Sequence, residues 1–232
     1  MPLTATKPKC LVEVGGLPML EWQLRALARA GVASATVVVG FGADQVESQL
    51  ARICPAGFEA HTLFNPLFDK ADNLVSCLAA RDEMRGDFLL VNGDTLFEPA
   101  AVSRLRDNQG PPVAIAVSTK AAYDADDMKV ARDGSRVLRV GKDLSAAETH
   151  GEAIGMSLYR GDGPRLFLEA LKEVAAEPDG HRRWYLSAVT RLAARGLVGA
   201  VLVDGIGWTE IDFPDDLARA ELLVSGWAEL KS

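Results

Sequence analysis

Four residues carry the clearest chemical potential in this chain. Asp94 follows the apolar run Phe88 to Val91 as the last residue of Asn92-Gly93-Asp94. A carboxylate just past the carboxyl end of a buried strand stands where open α/β sheets bind ligands, and a glycine before it lets a ligand approach the backbone. The same three residues also suit a plain turn. Asp212 closes Trp208-Thr209-Glu210-Ile211-Asp212, ahead of Phe213-Pro214, where an aspartate also suits a helix N-cap. Two aspartates on converging strand ends can hold one hard cation, which prefers oxygen ligands. Magnesium so held bridges phosphate oxygens and neutralises their charge. Lys9, in Thr6-Lys7-Pro8-Lys9, is a candidate point-charge clamp on a polyphosphate, and Lys142, in Gly141-Lys142-Asp143, on a second phosphate. A lone loop lysine is also commonly just solvated. A phosphate acceptor needs no strong general base, because its second pKa is about 6 and it is largely dianionic at neutral pH.

The elements that must position these groups alternate between strand and helix patterns. Leu20, Leu24, Leu27 and Ala28 share a helical face that Gly31 ends. Ala35 to Val39 predicts a strand, Val46, Leu50 and Ile53 mark a helix, and Phe58 to Phe64 predicts the next strand. Leu74 to Arg85 reads as one helix, and Phe88 to Val91 as a strand buried in the middle of a sheet. Strands follow at Val113 to Val117 and Ile154 to Tyr159, with a hairpin of Met128 to Val130 and Val137 to Val140 around Asp133-Gly134. Arg165 to Ala176, Trp184 to Arg195 and Pro214 to Leu230 read as helices, and Val198 to Val203 as a strand. The pattern predicts an α/β, Rossmann-like fold: a mostly parallel mixed sheet with helices on both faces. One domain over residues 1–232 is the economical reading, with a nucleotide-binding half, 1–110, and an acceptor-binding half, 111–232.

Composition narrows the function classes. The net charge is -7 and no Lys/Arg-rich run occurs, which argues against nucleic-acid binding as the main task. The three cysteines, Cys10, Cys54 and Cys77, form no C-x-x-C pair, so a reducing compartment is expected. His61, His150 and His181 are too dispersed for a zinc site. No apolar run is long enough to span a membrane, and a cytoplasmic location is the default.

Taken together, Pro2-Leu3-Thr4, Lys7-Pro8-Lys9, Leu11 to Gly16 and Pro18-Met19-Leu20 resemble the signature of the nucleotidyltransferases that include sugar-phosphate nucleotidyltransferases and phosphocholine cytidylyltransferases. Asn92-Gly93-Asp94 is similar to that family's first metal aspartate, and Trp208 to Asp212 with Asp215-Asp216-Leu217 to its second and its terminal helix. The resemblance implies CTP or another NTP as donor, Mg2+ on Asp94 and Asp212, and release of pyrophosphate. Asp72-Asn73-Leu74-Val75-Ser76, Asp126 to Val130, Gly141 to Leu144 and Gly151 to Gly155 look closest to the phosphocholine cytidylyltransferase branch, although inositol-phosphate cytidylyltransferases share some of them. The resemblance thus implies nucleotide binding by Lys9, Asn73 and Asp94. It implies binding of a small phosphorylated acceptor by Asp72, Ser76, Lys142 and Glu152. A quaternary ammonium is held by aromatic faces and carboxylates. Trp184, Trp208, Tyr159 and Tyr185, with Glu152 and Glu210, are candidates for such a cage, and they suit ordinary packing as well. Alternatives are a sugar-1-phosphate or inositol-phosphate nucleotidyltransferase, and a non-catalytic nucleotide-binding relative.

In that family a strand and a Gly-rich loop with an arginine come before the Pro-Leu-Thr string. The given sequence starts at Met1-Pro2-Leu3-Thr4. The expectation is a biological protein longer at its N-terminus, and a 232-residue form that is poorly stable and binds NTP weakly.

Overall fold

A computed structural model of the chain describes residues 6–231. The Pro2-Leu3-Thr4 part of the signature lies outside the described residues. In chain order the elements are β1 (Glu13–Val14), β2 (Leu17–Pro18), α1 (Met19–Arg29), β3 (Ser34–Val39), α2 (Ala43–Ile53), β4 (Glu59–Phe64), α3 (Asn73–Ala79), β5 (Phe88–Val91), β6 (Thr95–Phe97) and α4 (Pro99–Asp107). They continue with β7 (Val113–Ser118), β8 (Val130–Asp133), β9 (Arg136–Val140), β10 (Glu152–Tyr159), α5 (Gly163–Ala175), α6 (Leu186–Ala194), β11 (Val198–Leu202), β12 (Trp208–Glu210), α7 (Pro214–Ser225) and α8 (Ala228–Lys231).

The chain divides into two compact units. The first takes the residues up to Phe64, Asn92–Ser103 and Gly205 onward; the second takes Asn65–Val91 and Arg104–Asp204. In the first, β1 and β2 form a tight hairpin whose turn, Gly15-Gly16, has both φ angles positive, at 56° and 90°. Two adjacent positive φ values are what glycine supplies without steric cost. β3 and β4 pair in parallel, joined by α2, whose Val46, Leu50 and Ile53 are its buried residues. That is the stripe its helical spacing dictates. β6 pairs antiparallel with β12, which brings the chain after Asn92 beside the chain before Asp212.

In the second unit six strands form one mixed sheet in the order β5-β10-β7-β11-β9-β8. Val113, Ile115 and Val117 on β7, with Val198 and Ala200 on β11, alternate onto one face and build a core with α3, α5 and α6. Within this sheet β7 and β11 are the parallel pair and the other pairings are antiparallel, so parallel pairing is scarcer than the strand–helix alternation suggested.

Four elements differ from the sequence expectation, the simplest being the first hairpin strand, which runs Val130–Asp133 instead of Met128 to Val130. The run Leu74 to Arg85 is not one helix: α3 ends at Ala79 and a separate 3-10 turn follows at Arg81–Glu83. The last helix is broken at Gly226-Trp227, where Trp227 turns in to pack edge-on against Trp22, ring centroids 5.9 Å apart. Among the described residues the strand Phe88 to Val91 is an edge strand of the six-stranded sheet, paired with β10 and half-buried. An unbroken apolar run reports that both faces meet other atoms, as Phe88 does against Tyr159 at 4.6 Å. It is blind to how many edges are paired.

Candidate functional site

In the first unit Lys9 opens a 3-10 turn held by the Leu11 amide on the Pro8 carbonyl (2.9 Å) and the Val12 amide on the Lys9 carbonyl (3.0 Å). Buried Leu11 and Val12 anchor that turn, which leaves the lysine side chain free to reach outward. It reaches both aspartates: Lys9 Nζ donates to Asp94 Oδ2 at 2.8 Å and to Asp212 Oδ1 at 2.6 Å. Residues more than eighty positions apart are therefore gathered at one ammonium. Burial works against the charge on Lys9, but the two carboxylates outweigh it and raise the lysine above its ordinary range.

Each aspartate is held by its own neighbours. The Gln23 side chain on α1 donates from Nε2 to the Asn92 and Thr95 carbonyls, both at 2.8 Å, and so clamps the loop that carries Asp94. The Ile211 amide donates to the Asp94 carbonyl at 3.2 Å, continuing the β6–β12 ladder. Asp212 is not the helix cap. The buried Asp216 reaches back from the first turn of α7 and accepts from the Asp212 and Phe213 amides at 2.8 and 2.7 Å. That leaves the Asp212 carboxylate to Lys9. Asp94 Oδ1 is buried and has no hydrogen-bond partner among the described residues. An orphaned carboxylate oxygen in a two-carboxylate pair fits the coordination of a hard cation, whose further positions phosphate and water oxygens would fill. No cluster of three or more His, Cys, Asp or Glu suited to a metal occurs among the described residues. Around Gly93 a Cβ would meet nothing within 4 Å, so no protein neighbour demands glycine there.

In the second unit several residues with binding roles implied by the sequence already have protein partners. Asn73 Oδ1 accepts from the Tyr185 amide at 2.9 Å, and the Asp72 amide donates to the His181 carbonyl at 2.8 Å, which ties the start of α3 to the start of α6. Ser76 Oγ accepts from Asn65 Nδ2 at 3.1 Å. Trp184 lies beside the Lys142 ammonium, 4.9 Å from the ring centroid, and Lys142 is 3.7 Å from Asp126. Glu152, buried at the start of β10, accepts from Lys120 Nζ at 2.7 Å, and Asp127 accepts from the same nitrogen at 2.8 Å. Burial pushes the Glu152 carboxyl up; for Asp127 burial is outweighed by the Lys120 ammonium and the Asp124 amide, which lower it. Tyr159 and Tyr185 belong to the core rather than to a cage: Tyr159 is stacked between Phe88 and Phe167 at 4.6 and 4.2 Å, and Tyr185 is 2% exposed. Trp208 and Glu210 sit on β12 of the first unit, where Thr95 Oγ1 donates to Glu210 at 3.4 Å.

Sequence reasoning missed Gln23 and Lys120, and it named Asp216 and Asp127 only as parts of motifs, without the roles seen here. The spacing of Asp216 after Pro214 is a capping signal open to reading. Gln23 shows none, because its partners lie far away in sequence, and Lys120 shows none, because only the fold brings the neighbouring Asp127 and the distant Glu152 to one ammonium.

With this fold and carboxylate–lysine constellation in place, comparison with known proteins settles the class. Residues 4–190 match the MobA-like NTP transferase domain, and the chain belongs to that family of nucleotidyltransferases. It is 33% identical over 227 residues to the Bifunctional IPC transferase and DIPP synthase of Rubrobacter xylanophilus, covering 96% of this chain and 49% of that protein. It is 29% identical over 230 residues to the CMP-5'-(3-aminopropyl)phosphonate synthase of Streptomyces rubellomurinus, covering 96% of this chain and 36% of that protein. The chain thus spans about half or less of the length of these relatives. Among solved structures the fold matches the inositol-1-phosphate CTP transferase from T. maritima with a TM-score of 0.81 at 20% identity, over 99% of this chain and 90% of that one. It also matches the CTP:phosphocholine cytidylyltransferase from Streptococcus pneumoniae with a TM-score of 0.76 at 16% identity, over 96% and 92% of the two chains. Among the described residues no helix is long and apolar enough to cross a membrane.

Proposed function

We propose that this protein transfers a cytidylyl group from CTP to a small phosphorylated alcohol and releases pyrophosphate, with Mg2+ on Asp94 and Asp212. The observation that carries the reading is the pair of carboxylates joined by Lys9, one of them with a buried oxygen left unpartnered. Bound magnesium would supply charge neutralisation at the phosphates. Lys9 then turns from the carboxylates to the triphosphate as a point-charge clamp, and Lys142 orients the acceptor phosphate. An oxygen of that phosphate attacks the α-phosphorus of CTP, a new P–O–P bridge forms, and the bond to the β-phosphate oxygen breaks as pyrophosphate leaves. The acceptor's second pKa, about 6, makes a general base unnecessary. CTP is favoured as donor by the names of the two solved structures and by the CMP product named for the Streptomyces relative.

The test is pyrophosphate release with each NTP against a panel of phosphorylated alcohols and sugars, with and without Mg2+. CTP with Mg2+ and one phosphorylated alcohol should give the highest rate. Turnover that persists in EDTA, or a preference for another NTP with a sugar 1-phosphate, would sink the reading.

A further inference from the structure

The second unit carries a chain of charge that the transfer reaction does not by itself require. Adjacent Asp126 and Asp127 each meet a lysine: Lys142 at 3.7 Å and Lys120 at 2.8 Å. Lys120 also meets Glu152 at 2.7 Å, and Lys129, which bridges across to Glu152 in the backbone pairing, donates from Nζ to the Lys142 carbonyl at 2.9 Å. Each of these three carboxylates thus already has an ion-pair partner, two of them sharing Lys120, and the Lys129 ammonium stands close by on the Lys142 carbonyl. Its aromatic faces are taken as well. Lys142 covers Trp184 at 4.9 Å, and Lys120 lies 5.8 Å from the centroid of Tyr123, whose hydroxyl also accepts from the Lys120 amide at 3.3 Å.

A quaternary ammonium needs an unmatched carboxylate, and between Asp127 and Glu152 that place is already held by the Lys120 ammonium. We infer that Lys120 is a specificity-determining residue of the acceptor site, standing where a cationic head would stand between Asp127 and Glu152 and so restricting the acceptor to phosphorylated alcohols with an uncharged, hydroxyl-bearing head. This rests on the acceptor-binding role proposed above for this unit.

The experiment is calorimetric titration of the full chain with inositol 1-phosphate and with phosphocholine, for the wild type, Lys120→Gln and Lys120→Arg. The wild type should favour the inositol phosphate by about ten-fold or more, a difference on the scale of one cation–π or ion-pair contact. Lys120→Gln should move that ratio about ten-fold toward phosphocholine, and Lys120→Arg, which keeps the charge, should hold it. Circular dichroism and melting would show that both variants remain folded. Equal ratios in wild type and Lys120→Gln, a wild type that favours phosphocholine, or no binding of either ligand would overturn the inference. Binding that follows this pattern without pyrophosphate release from CTP would overturn the proposed reaction and leave the role of Lys120 standing.

Discussion

The two units each place one lysine between two carboxylates, and the two constellations differ in what they leave over. Lys9 joins Asp94 and Asp212 at 2.8 and 2.6 Å, and Lys120 joins Asp127 and Glu152 at 2.8 and 2.7 Å. Around Lys9 one buried oxygen, Asp94 Oδ1, has no partner among the described residues. Around Lys120 the carboxylates have further partners, including the Asp124 amide on Asp127, and the Glu152 side chain is only 9% exposed. Identical chemistry of lysine and carboxylate can therefore leave hydrogen-bonding capacity open at one site and take it up at the other. The deciding quantity is the unspent hydrogen-bonding capacity, which a burial cost makes expensive to leave open.

That contrast can be broken most forcefully at the carboxylates. Asp94→Asn should lower kcat/KM for pyrophosphate release by about a thousand-fold, since it removes charge at the reacting phosphates. Glu152→Gln should mainly raise KM for the acceptor, by about ten-fold. Similar losses from both, or a kcat effect at Glu152 alone, would erase the distinction between the two sites. At the lysines the sign is the discriminating observable. Lys9→Met leaves Asp94 and Asp212 facing each other without their counter-ion, so Mg2+ at about a hundred times its Kd should restore about 2.7 kcal/mol, read as a rise in Tm. Lys120→Met should show no such rise; an equal Mg2+ response in both variants would refute the difference drawn here.

Smaller effects come from the residues that hold the first site in place. Gln23→Leu strips one buried and one half-buried carbonyl of their donor and should cost about 1–3 kcal/mol of stability, with kcat falling more than Tm alone explains. A variant that melts early yet keeps its kcat would show Gln23 to be a packing residue only. Asp216→Ala removes the reach-back to the Asp212 and Phe213 amides and the ion pair with Arg219, for about 0.5–2 kcal/mol, and should lower Tm by a few degrees. No change in melting would mean that α7 is capped by other means.

The smallest expected signal is in the thiols. Burial pushes Cys10 up to about 11 and Cys77 up to about 12, so at pH 8 the thiol form dominates both and the thiolate fraction is on the order of one in a thousand or less. Iodoacetamide at pH 8 should therefore leave both unmodified by mass spectrometry in the folded protein, with reactivity rising only as pH approaches those values. Because Cys10 follows Lys9 in the same turn, added Mg2+ and CTP should alter its rate and leave Cys77 unaffected. Rapid labelling of Cys77 at pH 8 would contradict its burial.

Some of this was legible in the amino-acid sequence, for physical reasons that can be named. The stripe of Val46, Leu50 and Ile53 predicts both that α2 forms and which face it buries, since one helical period decides both. Asp94, Asp212 and Lys9 stand out because a motif preserves their local context. What joins them was not legible. The β6–β12 ladder is built from two three-residue strands more than a hundred positions apart, too short for any periodicity to register. Lys120 shows no local signal, because its partners are supplied by a neighbouring loop and by β10. Phe88 to Val91 was legible as a strand but not as an edge, since hydrophobicity reports faces and pairing is set by the rest of the chain.

That edge has a colloidal consequence. Along β5 one row of backbone groups has no ladder partner among the described residues, and Phe-Leu-Leu-Val offers no charge or proline to discourage an incoming strand. Two molecules that meet there can extend each other's sheet, so self-association grows with the square of concentration. The net charge of -7 opposes such meetings at a distance. Salt shortens that opposition to about 8 Å at physiological ionic strength. Raising ionic strength or protein concentration should then shorten the shelf life of the purified protein.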